Sequence, residues 1–151
     1  MGTKQLGEER RMIVTETLEL QSQGNFYTFN VTERVRDVLV RSGVRDGSVL
    51  IFYRHTTGGL LAPEHEVGLL VDLEDVMSKM APIDADWKHH WRGYDRNGGA
   101  HVRAAFVNPS MTVPIADGEL LLGTYQEILV VDFDPVSEER RRKLVVQVAG
   151  E

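Results

Sequence analysis

The chain contains no cysteine. Disulfides, thiolate nucleophiles and cysteine-ligated zinc or iron–sulfur centres are therefore excluded, and the absence agrees with a cytoplasmic location. No apolar run approaches the roughly 18 residues that a membrane-spanning helix needs, so no membrane partner is expected. The opening MGTKQLGEERRM lacks the apolar core of a signal peptide and reads as a short leader over residues 1–11. Basic charge is in deficit: 17 Lys and Arg face 23 Asp and Glu, a formal net charge of −6. Nucleic acids are disfavoured as partners, because their phosphate backbones are held by basic faces. A small anion gathered by a few local cations remains compatible with this balance. Signature loops are missing too. HTTGG at 55–59 lacks the lysine of a phosphate-binding loop and the glycine spacing of a dinucleotide site, and there is no H-E-x-x-H and no serine elbow.

A length of 151 residues, 42% hydrophobic and 26% charged, suits one globular domain. In MIVTETLEL, Met12, Val14, Leu18 and Leu20 fall on one side and Thr15, Thr17 and Glu19 on the other, which predicts a half-buried strand. SQGN turns the chain into FYTFNV, so the two runs read as a hairpin. Thr32 stands where an N-cap belongs, Val35, Val38 and Leu39 repeat at helical spacing, and Gly43 suits the C-terminal cap. SVLIFYRH is apolar nearly throughout, which places it centrally in its sheet. Pro63 opens a predicted helix through 64–80, with Val67, Leu70, Val71, Met77 and Met80 near one face. The tract IDADWKHHWRGYDRNGGA has no period, yet it holds both tryptophans and two of the five histidines. HVRAAFV, MTVPI, LLLGTYQEILVVDFD and RRKLVVQVAGE read as strands. Two helices and mostly short connections predict a single-domain α+β fold with a curled, mainly antiparallel, barrel-like sheet.

Imidazoles carry the candidate chemistry, since a neutral ring nitrogen binds metal and the ring titrates near neutral pH. His55 follows Val49, Ile51 and Tyr53 at alternate positions, so it sits at the rim of their face, either finishing a buried strand or opening a site. His101 opens a predicted strand and shares its face with Arg103 and Ala105. Such a pair either holds an anion or forms an exposed polar side. His89 and His90 lie between Trp87 and Trp91, and adjacent residues rarely serve one site, so at most one points inward. His65, among carboxylates at a helix start, reads as solvated surface. Thr56, Thr57 and the glycine amides after them can receive an anion. The run Glu139–Lys143 is either a solvated turn or a source of phosphate-binding arginines, Arg140–Arg142.

Four pieces recur in order: HTTGGLLAPE, WKHHWRG, AHVRAAFVNPSMTVPIADGELLLGTYQ and VAGE. Together they resemble the YjbQ-like family, also described as secondary thiamine-phosphate synthases, from about Met12 to Glu151. The family's first motif is a His-Thr-[Ser/Thr]-Ala-[Gly/Ser] run followed by Asn-Glu-Asn. His55, Thr56 and Thr57 match it, and Glu64 stands at the family's glutamate. Pro63 and His65 replace the asparagines, and Val67 the usual downstream aspartate. The family's loop histidine maps to His89 and its next histidine to His101. Its Gly-Thr-Trp-Gln-Gly becomes Gly123, Thr124, Tyr125, Gln126 and Glu127.

The resemblance implies a homotrimer with a shared site near a subunit boundary. Its catalytic candidates are His55, Glu64, His89 and His101, and its ligand-binding candidates are Thr56, Thr57, Arg103 and Gln126. His55, His89 and His101 are the implied ligands of a divalent metal, zinc or magnesium, because three imidazoles with an open position are the arrangement of a catalytic zinc. The implied ligand is a small phosphorylated molecule, and the implied activity a low-level thiamine-phosphate synthase reaction. That reaction expels pyrophosphate and needs cations over the leaving group. The dedicated synthase is a (β/α)₈ barrel of more than about 200 residues, which this chain cannot be, so the activity reads as side chemistry. Metal-assisted hydrolysis at the same site and a non-catalytic trimeric binding protein are the alternatives.

Overall fold

The computed structural model describes residues 11–93, 95–135 and 140–151. The predicted leader up to residue 10, and Glu139 of the arginine run, lie outside them. In chain order the elements are β1 (Met12–Ser22), β2 (Tyr27–Asn30), α1 (Thr32–Ser42), β3 (Gly47–Tyr53), β4 (Gly58–Leu61) and α2 (Val67–Met80). Then follow α3 (Gly98–Ala104), β5 (Ser110–Ala116), β6 (Glu119–Leu120), β7 (Leu129–Asp132) and β8 (Arg140–Gly150). Five strands pair in the order β1-β8-β3-β5-β6 and three in the order β2-β7-β4, every pair antiparallel. The result is one α+β domain with a curled, half-barrel antiparallel sheet.

Alternation explains where the core sits. Val49, Ile51 and Tyr53 of β3 and Leu144, Val146 and Val148 of β8 turn to one face. Val35, Val38 and Leu39 of α1 close over them. Each such side chain contributes about 1.5–3 kcal/mol on burial. A smaller cluster gathers Phe26, Ala100, Val107, Val131 and Phe133. As expected, β3 is central, between β8 and β5, and Gly43 closes α1 in a left-handed conformation with φ 71°.

Four expectations are corrected. β1 and β2 form no hairpin, for β1 pairs with β8 and β2 with β7. The link between them turns through three positive-φ residues, Gly24, Asn25 and Phe26, and passes to the other sheet. Thr32 does not cap α1. Its hydroxyl donates to Asn30 Oδ1 and accepts from the Ile128 N–H, which ties β7 to the helix start. The cap of α2 is Glu66, whose carboxylate accepts from Gly68 and Leu69 N–H at 2.8 Å each, so Pro63 stays outside the helix. The segment that begins at His101 is no strand but part of a third helix, α3. Gly98 lets that helix start against Trp87, where a Cβ would lie 2.6 Å from the tryptophan Cβ.

Candidate functional site

β3 delivers the chain to the site and β8 holds it there. Beyond Tyr53, Arg54 N–H donates to the Lys143 carbonyl, and the Lys143 N–H donates to His55 Nε2 at 2.9 Å. Thr56 and Thr57 then bend into β4. The Phe133 N–H donates to the Thr57 carbonyl at 2.8 Å. β4 lies so close on β7 that a Cβ on Gly58 would fall 2.1 Å from the Val131 carbonyl oxygen. The missing side chain of Gly58 permits that approach in this chain, and it brings the threonines beside Asp132 and Asp134.

Those aspartates form a charged floor with β8. Arg142 donates from Nε to Asp132 Oδ2 at 2.7 Å and from a terminal nitrogen to Asp134 Oδ2 at 3.1 Å. Arg140 reaches Asp134 Oδ2 at 2.8 Å, and the Ser22 hydroxyl donates to Asp132. The side chains of Arg142, Asp132 and Asp134 are only 8%, 1% and 3% exposed. Charges this deep persist because they are paired and hydrogen-bonded. Burial alone would lower the Arg142 pKa, but the bonds and charge of Asp132 outweigh it and raise it. Burial, aided by the Asp132 charge, pushes the nearby Tyr53 phenol well above its usual range.

Above this floor lies a polar cavity of about 310 Å³ lined by Arg54, His55, Thr56, Thr57 and His101, with Asp134, Arg140 and Arg142 below and beside them. Burial depresses the His55 pKa, and the Arg142 charge adds to the effect. Burial also depresses that of His101, helped by His89 and opposed by a hydrogen bond to the Thr56 backbone. Both shifts favour the neutral ring. His101 also borders an apolar cleft of about 630 Å³ formed by Trp87, His89, Val102 and Phe106.

The sequence-predicted residues divide into four groups. His55, Thr56, Thr57 and His101 meet at the polar cavity. His89 packs on His101 with ring centroids 4.6 Å apart but faces the apolar cleft. Its neighbour His90 is structural, its Nε2 accepting from the Gly98 N–H at 3.1 Å. Arg103 does not join His101. On a helix, residues two apart point to nearly opposite sides, so Arg103 turns away and donates to the Ala81 carbonyl at 2.8 Å. Glu64 and Gln126 bridge each other beyond the far end of β4 and β7. Asp132 pairs with Gly58 at one end of that ladder and Leu129 with Leu61 at the other. Within one chain they stand apart from His55.

Within one chain the three histidines are not gathered as a metal group. Among the described residues no three His, Cys, Asp or Glu side chains are grouped to hold one, and the Nε2 of His55 is already engaged by Lys143. Sequence reasoning missed the floor itself. The available signal was VVDFD, two aspartates on one side of an otherwise apolar run, facing an Arg-x-Arg on a later strand.

A curled α+β half-barrel with a polar cavity where its central strand ends is the class of protein defined here. The chain belongs to the family described as UPF0047 protein YjbQ-like, which it matches over residues 16–151. It is 34% identical over 138 residues to a UPF0047 protein of Methanothermobacter thermautotrophicus, covering 91% of this chain and 93% of that one. It is 31% identical over 139 residues to one from Synechocystis, covering 90% and 91%. Among solved structures, a YbjQ-like protein of unknown function from Sulfolobus solfataricus superposes with a TM-score of 0.86 at 29% identity, covering 94% of this chain and 100% of that one. A hypothetical protein from Aeropyrum pernix gives 0.84 at 27%, covering 91% and 99%. No helix among the described residues is long and apolar enough to cross a membrane.

Proposed function

We propose that the protein binds a small phosphorylated molecule, in the cytoplasm, at the cavity between His55 and His101. The observation that carries this reading is the division of labour among its arginines. Arg142 is consumed by the aspartates beneath it. Arg140 keeps a side chain 45% exposed beside Asp134, and the Arg54 side chain has no partner among the described residues. Two cations with spare donors, two threonines and two neutral imidazoles thus face one small polar space, a donor set suited to phosphate oxygens. The thiamine-phosphate synthase activity implied by the resemblance is one reaction such a site would serve; binding without turnover is the other. Isothermal titration with inorganic phosphate and pyrophosphate tests the reading. Saturable binding that Arg140→Ala weakens about tenfold or more supports it. Absence of binding to the wild type overturns it.

A homotrimer accompanies this proposal. α2 buries no residue in the single chain, and Val67, Val71, Val76 and Met80 stand exposed along it. Glu64 and Gln126, remote from His55 in one chain, would approach a histidine site only across a subunit boundary. Light scattering on the purified protein should give three times the chain mass; a monomer overturns the assembly.

A further inference from the structure

A backbone amide cannot exchange its role. The Lys143 N–H is an obligatory donor, and it points at His55 Nε2 from 2.9 Å. That nitrogen must therefore be bare, which puts the ring proton of the neutral imidazole on Nδ1, because the partner of one nitrogen decides the state of the other. Nδ1 makes no hydrogen bond with any described residue, and it is not among the sealed, unpartnered polar atoms. His55 also lines the polar cavity together with Thr56, Thr57 and Arg54. Burial disfavours adding a second proton, which would again set two donors against each other at Lys143.

We propose that His55 serves as an Nδ1–H hydrogen-bond donor, locked in that tautomer by the Lys143 amide, so that the cavity takes an anionic oxygen at this position and not a metal ion. A metal on Nδ1 would need that nitrogen's lone pair and would drive the proton to Nε2, against the Lys143 N–H. Losing that bond and leaving two donors opposed weakens metal binding at least about tenfold. A phosphate oxygen needs no such rearrangement. The donor is already aimed, and the threonine hydroxyls rotate to suit. This rests on the phosphate-binding reading above and adds the protonation state and the role of one residue.

The test is long-range ¹H–¹⁵N correlation of the imidazole rings in the full-length, ¹⁵N-labelled protein at pH 8, with His55 assigned by its loss in His55→Asn. The expected pattern is a protonated Nδ1 and a bare Nε2. Inorganic phosphate should shift the Nδ1 resonance, and equimolar zinc chloride should leave the pattern intact. A proton on Nε2, or conversion of the ring by zinc, overturns the proposal. If calorimetry shows phosphate binding while the His55 resonances stay still, the donor role fails and the binding reading survives. If neither phosphate nor pyrophosphate binds, both fall. His55→Asn places an amide N–H near the same spot and should keep phosphate affinity within about threefold, whereas His55→Phe should lose about tenfold. Equal affinities in the two variants count against a hydrogen-bonding role.

Discussion

The two ends of the β2-β7-β4 sheet are both polar, but they are built differently. At the His55 end, Asp132, Asp134 and Arg142 are nearly sealed from water and bonded to one another. At the other end, Asn30 Nδ2 lies 3.1 Å from His65 Nδ1 and 3.4 Å from Glu127 Oε2, all on the surface. This second network gathers two residues that depart from the family pattern, His65 and Glu127. The neighbouring Thr32 side chain chiefly, then a hydrogen bond from Asn30 and the charges of His65 and Arg36, hold the Glu127 carboxyl below its ordinary pKa. The difference teaches that a polar group is expensive to alter where water cannot replace its partner, and cheap to alter where it can.

The sharpest way to break this comparison is Arg142→Ala. It leaves the buried Asp132 carboxylate without its main partner and Asp134 with Arg140 alone, and should cost about 3–5 kcal/mol in denaturant unfolding. A loss below about 1 kcal/mol would mean that the floor is wet. Gly58→Ala should cost about 1–3 kcal/mol, because its Cβ collides with the Val131 carbonyl and must push β4 from β7. It should also weaken phosphate binding, whereas an equal loss of stability at a surface site should not.

Acidification offers a smaller contrast. The pKa values of His55 and His101 are lowered on folding. Between the folded values and the ordinary value of about 6.5, the unfolded chain therefore binds more protons, and stability falls as pH falls. Thermal midpoints should drop by a few degrees from pH 7.5 to pH 5.5, less so in His55→Asn. A rise on acidification contradicts the assignment. The smallest effect belongs to the exposed end. Glu127→Gly, which restores the family residue, should change stability by at most about 0.5 kcal/mol; a loss above about 2 kcal/mol would make the two ends equivalent.

Much of the fold is visible in single-strand patterns. The alternation of Val49, Ile51 and Tyr53 marks β3, and Gly43 marks the end of α1, because both depend on neighbours in sequence. Partner choice does not. Nothing local in MIVTETLEL says that its ladder runs to β8 and not to the adjacent FYTFNV. His101 illustrates the limit on helices. HVRAAFV has the composition of a strand, and only the close approach of Gly98 and Gly99 to Trp87, Pro82 and Ile83 makes it the continuation of a helix. The lining of the polar cavity was legible as far as His55, Thr56, Thr57 and His101, whose chemistry is written in their side chains. Its floor was not, since Asp132 and Arg142 acquire meaning only from each other. The Lys143 amide that engages His55 Nε2 likewise leaves no trace in residue identity.

The long β1–β8 ladder has a kinetic consequence. Its register joins Met12 to Gly150 and Ser22 to Arg140, and the Ser22–Asp132 bond alone spans 110 residues. Such remote pairings require closing most of the chain before any contact rewards it. β8 also fills the gap between β1 and β3 and carries Arg142 to the floor of the cavity. Formation of the cavity should therefore come late in folding, and partly folded chains should show helix α1 before they show any affinity for phosphate.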